Sequence, residues 1–421
     1  MPLFTSLHRA LGRPPGPIDD ELLDSAVGQG VAETDDLDWK SELPPSRDLS
    51  QTDFPKDVAA MANRGGGVIV YGVTEKQKRA TGRADVGVLS EIHERTLRSA
   101  AVTAISPPVL GLTIVRVGER EPRAVAVIVP ASEDGPHLIY KNDFFGAPIR
   151  NDADTAWMKE SQIEAAYRTR LEARRHAAET LDRLYAESAA GRTDDENAWL
   201  IAVAHPRIPA VTMPRPSRDA AREAFSRARD VARRLTSGRG DNGPLASVDL
   251  LNPRPGLRRW QAVNAATQER SRWHESWVSL HHDGAVTLAA RVGAWPGVTG
   301  EFEPGWMVDS AVIEQAVADL MGLVRAAGEA RTLSEYDVRV GVEWRPPTPL
   351  MIRTVENGGN YPFTGSSVPL PRYAAVDITV LADDDATGFQ QQTYDLARDC
   401  VNQGGITYTR LIEAIDGVSE Q

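Results

Sequence analysis

Cysteine is almost missing from this chain: Cys400 is the single one among 421 residues. One thiol excludes an intramolecular disulfide and a thiolate metal cluster built by one chain, and it suits a reducing compartment, so a cytoplasmic location is expected. Long apolar runs are also lacking. No stretch approaches the roughly 18 residues that a membrane helix needs, which predicts a soluble protein. The N-terminal MPLFTSLHRALGRPPGPIDD has its apolar stretch broken by Arg9, Arg13 and three prolines. It lacks the continuous core of a secretory signal, and residues 1–30 read as an arm. A basic excess is absent too: the formal charge is -12, which argues against holding nucleic acid by bulk attraction. The glycine run Arg64-Gly-Gly-Gly-Val precedes a strand and not a helix, so the Walker pattern and the helix N-terminus of a nucleotide loop are both missing.

What is present describes an α+β protein of two domains, the number this length favours. Leu37-Asp38-Trp39-Lys40 alternates apolar and polar residues as a half-buried strand does, which places Asp38 and Lys40 on one face, away from the core. Residues 50–63 read as a helix, with Asp53 at the cap, Pro55 in the first turn and Val58, Met61 and Ala62 as the apolar stripe. Gly65 to Gly67 stop it, Gly65 in a left-handed conformation. The six-residue run Val68 to Val73 predicts a central strand buried on both faces. A helix over 89–105 comes next, ended by Pro107 and Pro108, and then an antiparallel pair of strands at 109–117 and 124–129. A helix over 159–190 joins the domains, and the polar run 189–196 marks the boundary. The expected organisation is therefore an arm over 1–30, a first domain over 31–170, a helical linker over 171–195 and a second α+β domain over 196–421.

In that second domain a strand is expected at 199–204 and a helix at 217–235. A hairpin is expected with arms 277–282 and 285–292 about an Asp283-Gly284 turn. A helix near 309–330, strands near 336–344 and 374–381 and a helix near 391–402 complete it. Arginines crowd residues 207–259. Arg215, Arg218, Arg222, Arg229 and Arg233 recur at spacings that align them on one helix face, a candidate for sequence-independent backbone contacts by Arg222 and Arg229. Adjacent histidines in a strand point to opposite faces, so His274, His281 and His282 do not compose a zinc site. Trp260, Trp273, Trp277, Trp295, Trp306 and Trp344 read as core or interface residues.

Several ordered pieces of the first domain carry a resemblance: Glu33, then Asp38-Trp39-Lys40, then Ala59-Ala60-Met61-Ala62-Asn63, Gly66-Gly67 and Gly72-Val73-Thr74-Glu75. Val129-Pro130, the Pro-His-Leu-Ile-Tyr at 136–140 and Ile149-Arg150 complete the series. Together they resemble the Schlafen AlbA-type domain, over about one third of the chain. The resemblance implies a mixed-sheet nucleic-acid-handling fold, and in members that cleave RNA it implies three carboxylates, which fall here on Glu33, Asp38 and Glu75. Asp38 stands where the pattern has Glu, and Glu75 where it has Asp. Each swap displaces a carboxylate by about one methylene, a change of the order that can cost roughly a hundredfold in rate.

Three converging carboxylates repel unless a divalent cation bridges them, so Glu33, Asp38 and Glu75 are also candidate ligands for Mg²⁺ or Mn²⁺, with Lys40 stabilising a phosphorane or positioning water. The plain alternative is a solvated acidic edge with Lys40 as a surface ion partner. Lys76, Lys78, Arg79 and Arg83 form a basic stretch suited to phosphates or to an ordinary turn, and Arg150 joins the nucleic-acid candidates. Three functions are thus expected to compete. The first is a nucleic-acid-binding protein acting as a metal-dependent endoribonuclease on structured RNA such as transfer RNA. The second is a non-catalytic DNA-binding transcriptional regulator with a C-terminal sensing or dimerisation domain. The third is an interaction module that touches no nucleic acid. RNA-cleaving members pair two such lobes and this chain shows one recognisable copy, so a homodimer is expected.

Overall fold

The computed structural model describes residues 4–141, 144–192, 196–208, 215–238, 243–264, 275–294, 303–331, 333–345, 348–358, 361–364 and 367–415. His274, Trp273 and Trp295 lie outside them. The chain divides into two compact units, Met1–Arg174 and Arg175–Gln421, each α+β.

The N-terminal unit contains α1 (Ser6–Ala10), α2 (Asp20–Gly28), β1 (Leu37–Lys40), α3 (Phe54–Ala62), β2 (Gly67–Tyr71), β3 (Val73–Lys76), β4 (Arg79–Arg83) and α4 (Glu91–Thr103). It continues through β5 (Ile105–Ser106), β6 (Thr113–Val117), β7 (Ala124–Val129), β8 (Leu138–Lys141), β9 (Phe144–Gly146), β10 (Pro148–Asn151) and β11 (Asp154–Trp157) into α5 (Glu160–Ala190). Its main sheet has the order β1-β2-β7-β6, with β1 parallel to β2 and the other pairs antiparallel. Alternation in β2 serves two layers. Val68 and Val70 pack with Leu37, Trp39, Ala124 and Ala126 against Leu7, Leu22 and Leu23 of α1 and α2, while Ile69 and Tyr71 pack with Phe54, Val58 and Met61 of α3 and Leu97 of α4. A strand covered on both faces is apolar throughout, as the sequence run predicts.

Two expectations need correction here. Residues 1–30 are not a bare arm. Leu7, Leu22, Leu23 and Ala26 are buried, and Asp19 caps α2 by accepting from Leu22 N at 3.0 Å. The prolines between α1 and α2 form the connection and leave both short apolar faces intact. Nor does Asp38 point to solvent. Trp39 and Leu37 face α1 and α2, so Asp38 and Lys40 face the α3 side, where Asp38 is only 2% exposed.

The C-terminal unit contains β12 (Trp199–Pro206), α6 (Arg218–Leu235), α7 (Pro244–Ser247), β13 (Arg254–Gly256), β14 (Arg259–Val263), β15 (Ser276–His281) and β16 (Val286–Arg291). Next come β17 (Met307–Asp309), α8 (Ser310–Arg331), β18 (Glu335–Glu343), β19 (Met351–Arg353), β20 (Val355–Gly358), β21 (Tyr361–Thr364), β22 (Val376–Leu381) and α9 (Ala386–Asn402). The seven-stranded sheet β13-β14-β15-β16-β12-β18-β22 is antiparallel throughout. One face packs on α6, α8 and α9 through Leu200, Phe225, Leu320 and Leu396. The other packs Trp199, Ile201 and Val203 on Leu181, Leu184 and Tyr185 from the second half of α5. Gly284 at the β15–β16 turn has φ +99°, the left-handed conformation that the Asp-Gly pair anticipates.

Candidate functional site

The edge strand β1, the first turn of α3 and two hairpins meet in a cleft of about 570 Å³ in the N-terminal unit, lined by Glu33, Asp38, Lys40, Asp53, Lys56, Asp57, Glu75, Lys78, Arg150 and Asp154 among others. Each element has a local reason for its position. Asn63, which caps α3, donates from Nδ2 to His137 O at 2.9 Å and Pro148 O at 2.8 Å and accepts from His137 N at 2.7 Å. This ties the end of α3 to β10, the strand that carries Arg150. The β3–β4 turn consists of Gln77 and Lys78, both with positive φ (+53° and +62°), a conformation that costs a side-chain-bearing residue on the order of 1 kcal/mol. Two bonds hold that turn: Glu33 N donates to Lys78 O at 2.8 Å, and Lys78 N donates to Glu75 Oε2 at 2.7 Å.

The charges interlock. Asp38 Oδ1 accepts from Arg150 Nη1 at 3.1 Å and Asp38 Oδ2 lies 2.5 Å from Lys40 Nζ, which is also 3.8 Å from Asp57. Lys78 Nζ lies 3.5 Å from Glu33 and 3.3 Å from Asp154. Asp38 and Arg150 are almost fully buried at 2% and 3% side-chain exposure, whereas Lys40 and Lys78 keep 37% and 50%. The buried groups therefore form a base and the lysines reach the opening.

The acids crowd one another. Burial above all, reinforced by Asp38, raises the Glu33 carboxyl; Trp39 N–H, Lys78 and Lys40 oppose this. Burial pushes Asp57 up to about 6 against the pull of Lys40, with Asp38 adding to the rise. Burial works against the Lys40 ammonium, yet Asp38 and Asp57 outweigh it and its pKa is raised. Burial also holds the Tyr71 phenol neutral, and Asp57 and Asp38 strengthen that effect. With all groups ionised the lining carries six carboxylates against four cations, so an approaching phosphate gains from protonation of Asp57 or from an added cation.

The structure thus brings Glu33, Asp38, Glu75, Lys40, Lys78 and Arg150 to one cleft. Glu75 is exposed and its Oε2 is taken by the Lys78 N–H, so it does not converge with the other two acids. Among the described residues no group of three His, Cys, Asp or Glu side chains could hold a metal ion. Of the three expected acids, Glu33 and Asp38 remain together at the buried base of the cleft. Glu33 Oε2 and Asp38 Oδ2 are buried, and each already lies against an ammonium, Lys78 Nζ at 3.5 Å and Lys40 Nζ at 2.5 Å, so a cation there would compete with both lysines.

The remaining candidates lie elsewhere. Arg83 joins Asp24 and Asp20 at 2.9 Å each with its own side chain 9% exposed, a tie between β4 and α2. Exposed Arg79 donates to Gly30 O at 2.9 Å, and Lys76 is exposed on β3. Arg222 and Arg229 belong to α6 in the other unit; Arg222 pairs with Asp219 at 3.2 Å and half-buried Arg229 lines a small cavity with Asp319. Sequence reasoning missed Asp57, Lys56 and Asp154. For Asp57 a signal existed, an acid in the first turn of α3 immediately before the buried Val58.

Residues 33–159 match the model of the family described as Schlafen, AlbA_2, which covers less than a third of the chain and points to nucleic-acid binding. Among solved structures, the N-terminal domain of a RecG-related protein from Nitrosomonas europaea is similar at 17% identity over 33% of this chain and 90% of that one, TM-score 0.24. The DIP2311 protein from Corynebacterium diphtheriae is similar at 16% identity over 54% of this chain and 41% of that one, TM-score 0.24. No curated protein matches. No described helix is long and apolar enough to cross a membrane.

Proposed function

We propose, taking residues 33–159 as a Schlafen AlbA_2 domain, that this unit binds nucleic acid with the backbone phosphates at the mouth of the cleft, Lys40 and Lys78 making the contacts. The observation that carries this reading is the pairing of two half-exposed lysines with a buried base of Glu33, Asp38 and Arg150. Side chains so held lose little further entropy on meeting a phosphate, and a phosphate adds to the charge-assisted bonds they already make. Arg150 in this reading positions Asp38 and does not touch the ligand.

The finer reading is phosphodiester cleavage. Glu33 and Asp38 would hold a Mg²⁺ or Mn²⁺ ion, which supplies an oriented water and offsets charge on the scissile phosphate. Its support is the acid excess of the lining, with Glu33 and Asp38 buried side by side at the base of the cleft. The competing reading, a DNA-binding regulator without cleavage, is supported by the engagement of Glu75 within its own turn. Purified protein incubated with transfer RNA or duplex DNA, in Mn²⁺ or in EDTA, decides between them. Cleavage expected only with Mn²⁺, and lost in Glu33→Ala while binding persists, supports the nuclease. Salt-sensitive binding without products supports the regulator, and no binding at low salt defeats the proposal as a whole. Sedimentation in the same buffers tests the homodimer that belongs to either reading.

A further inference from the structure

The arginine-rich part of the C-terminal unit does not behave as the stripe its sequence suggests. On α6, Arg222 pairs with Asp219, and on another side of the helix Arg227 binds Glu329 with two bonds of 2.8 Å, so arginines of this helix are partly neutralised within the fold. Among the described residues, cations in excess of acids gather instead at the end of the sheet where the β13–β14 and β15–β16 hairpins turn. His282 N donates to Arg258 O at 2.9 Å, which joins the second hairpin to the tip of the first. Trp260 Nε1 donates to Pro216 O at 2.9 Å, which brings exposed Arg215 to the same end, and Leu333, two residues beyond the end of α8 at Arg331, lies against Gly284 of the second turn.

Three polar atoms are left in an unfavourable state here. Nη1 and Nη2 of Arg331 are shielded from solvent and have no hydrogen-bond partner, and the same is true of His282 Nδ1. A guanidinium that has given up water without gaining acceptors is costly, and each such group in a native fold calls for an explanation. Burial, followed by Arg215, Arg331 and Arg258, pushes the His282 imidazole down, in keeping with the position of these cations at one end of the sheet; Asp283 opposes them. That acid also acts on Arg331, while its Oδ1 accepts from Ala285 N at 3.0 Å. Among the described residues Asp283 is thus the carboxylate that acts on His282 and Arg331, against three guanidinium groups acting on His282. A tetrahedral oxyanion supplies what is lacking, since it accepts from a planar fork at two oxygens and keeps others for neighbouring cations.

We propose that Arg215, Arg258, His282 and Arg331 form a binding site in the C-terminal unit for a phosphate-type oxyanion. Arg331 supplies the shielded fork, and Arg215 and Arg258, both exposed, lie on the side from which the anion enters. The site is separate from the cleft of the N-terminal unit and does not depend on its reading. The oxyanion has two possible sources, a free phosphate or mononucleotide and the backbone of a nucleic acid.

The test is the melting temperature of the full chain with inorganic phosphate, with a 5′-mononucleotide or with a single-stranded oligonucleotide, each against chloride at equal ionic strength. It is run on the parent protein, Arg331→Met and Arg215→Gln. A rise with phosphate and mononucleotide, with apparent affinity about tenfold weaker in both variants, supports the site with a free ligand. A rise with the oligonucleotide alone, reduced in both variants, supports it as a backbone contact. Arg331→Met is also expected to melt no lower than the parent without ligand, because it removes an unpaired buried charge. Arg215→Gln alters an exposed residue and serves if Arg331→Met fails to fold. Ligand-dependent rises that are equal in parent and variants, or no rise with any of the three ligands, overturn the proposal.

Discussion

Arg150→Met is expected to destabilise the N-terminal unit by about 3 kcal/mol, the lower end of the range for removing one partner of a buried ion pair. Asp38 would be left 2% exposed without the guanidinium that now lies 3.1 Å from Oδ1, and Thr34 O would lose its bond from Arg150 Nη2 at 3.2 Å. The loss stays at the lower end because Lys40 remains 2.5 Å from the other oxygen. A second variant separates the pair's own worth from the penalty of an orphaned charge. Arg150→Met combined with Asp38→Leu removes both charges and is expected to recover most of the lost stability, since replacing both partners by apolar groups is often close to neutral. Chemical denaturation read at the transition of the N-terminal unit measures both. A single variant as stable as the parent would show that Lys40 alone suffices to hold Asp38.

Asp57→Asn is expected to stabilise the protein at neutral pH. The carboxyl is raised from 3.8 to about 6, mainly by burial, so between these values the folded state holds a proton that the unfolded state has released. A carboxylate raised in this way makes stability fall as pH climbs from about 4 to 6, after which the penalty is constant. At about 1.4 kcal/mol per unit, the neutral Asn side chain gains on the order of 3 kcal/mol over the parent at pH 7, about half that at pH 5 and almost nothing below pH 3. The converging melting curves of parent and variant across this range are the observable. Parallel curves would mean that folding leaves the Asp57 carboxyl at its ordinary value. Because a bound phosphate favours the protonated form of Asp57, nucleic-acid affinity of the parent is also expected to rise from pH 7 to pH 5.

Much of the fold could be read from local pattern. Of the strand expected over 68–73, residues 68–71 lie in β2 and are covered on both faces, while Gly72 at φ +101° ends it and Val73 begins β3; α5 spans Glu160–Ala190 and the Asp283-Gly284 turn sits in the expected hairpin. These features depend on residues within a few positions of one another. What escaped depends on distance in sequence. Asp38 and Arg150 are 112 residues apart, and nothing near either one announces that they pair; alternation alone sends Asp38 to solvent. The two N-terminal helices escaped because each apolar face is only two or three residues, below what periodicity can distinguish from a broken arm. At the site, the identity of Glu33, Asp38 and Glu75 came from ordered motif pieces, while their state did not. That Glu75 is occupied by Lys78 N–H, and that Asp57 joins the cleft 3.8 Å from Lys40, are consequences of the turn and of the packing of α3 against β2.

The direct test of nucleic-acid binding at this cleft is the salt dependence of affinity for labelled transfer RNA, compared between the parent and Lys40→Gln/Lys78→Gln. If these lysines meet two phosphates, the double variant binds more weakly and its slope of log affinity against log salt is shallower by roughly 1.5 to 2. An unchanged affinity and slope in a folded double variant would contradict the assignment and move the contact to another surface of the molecule.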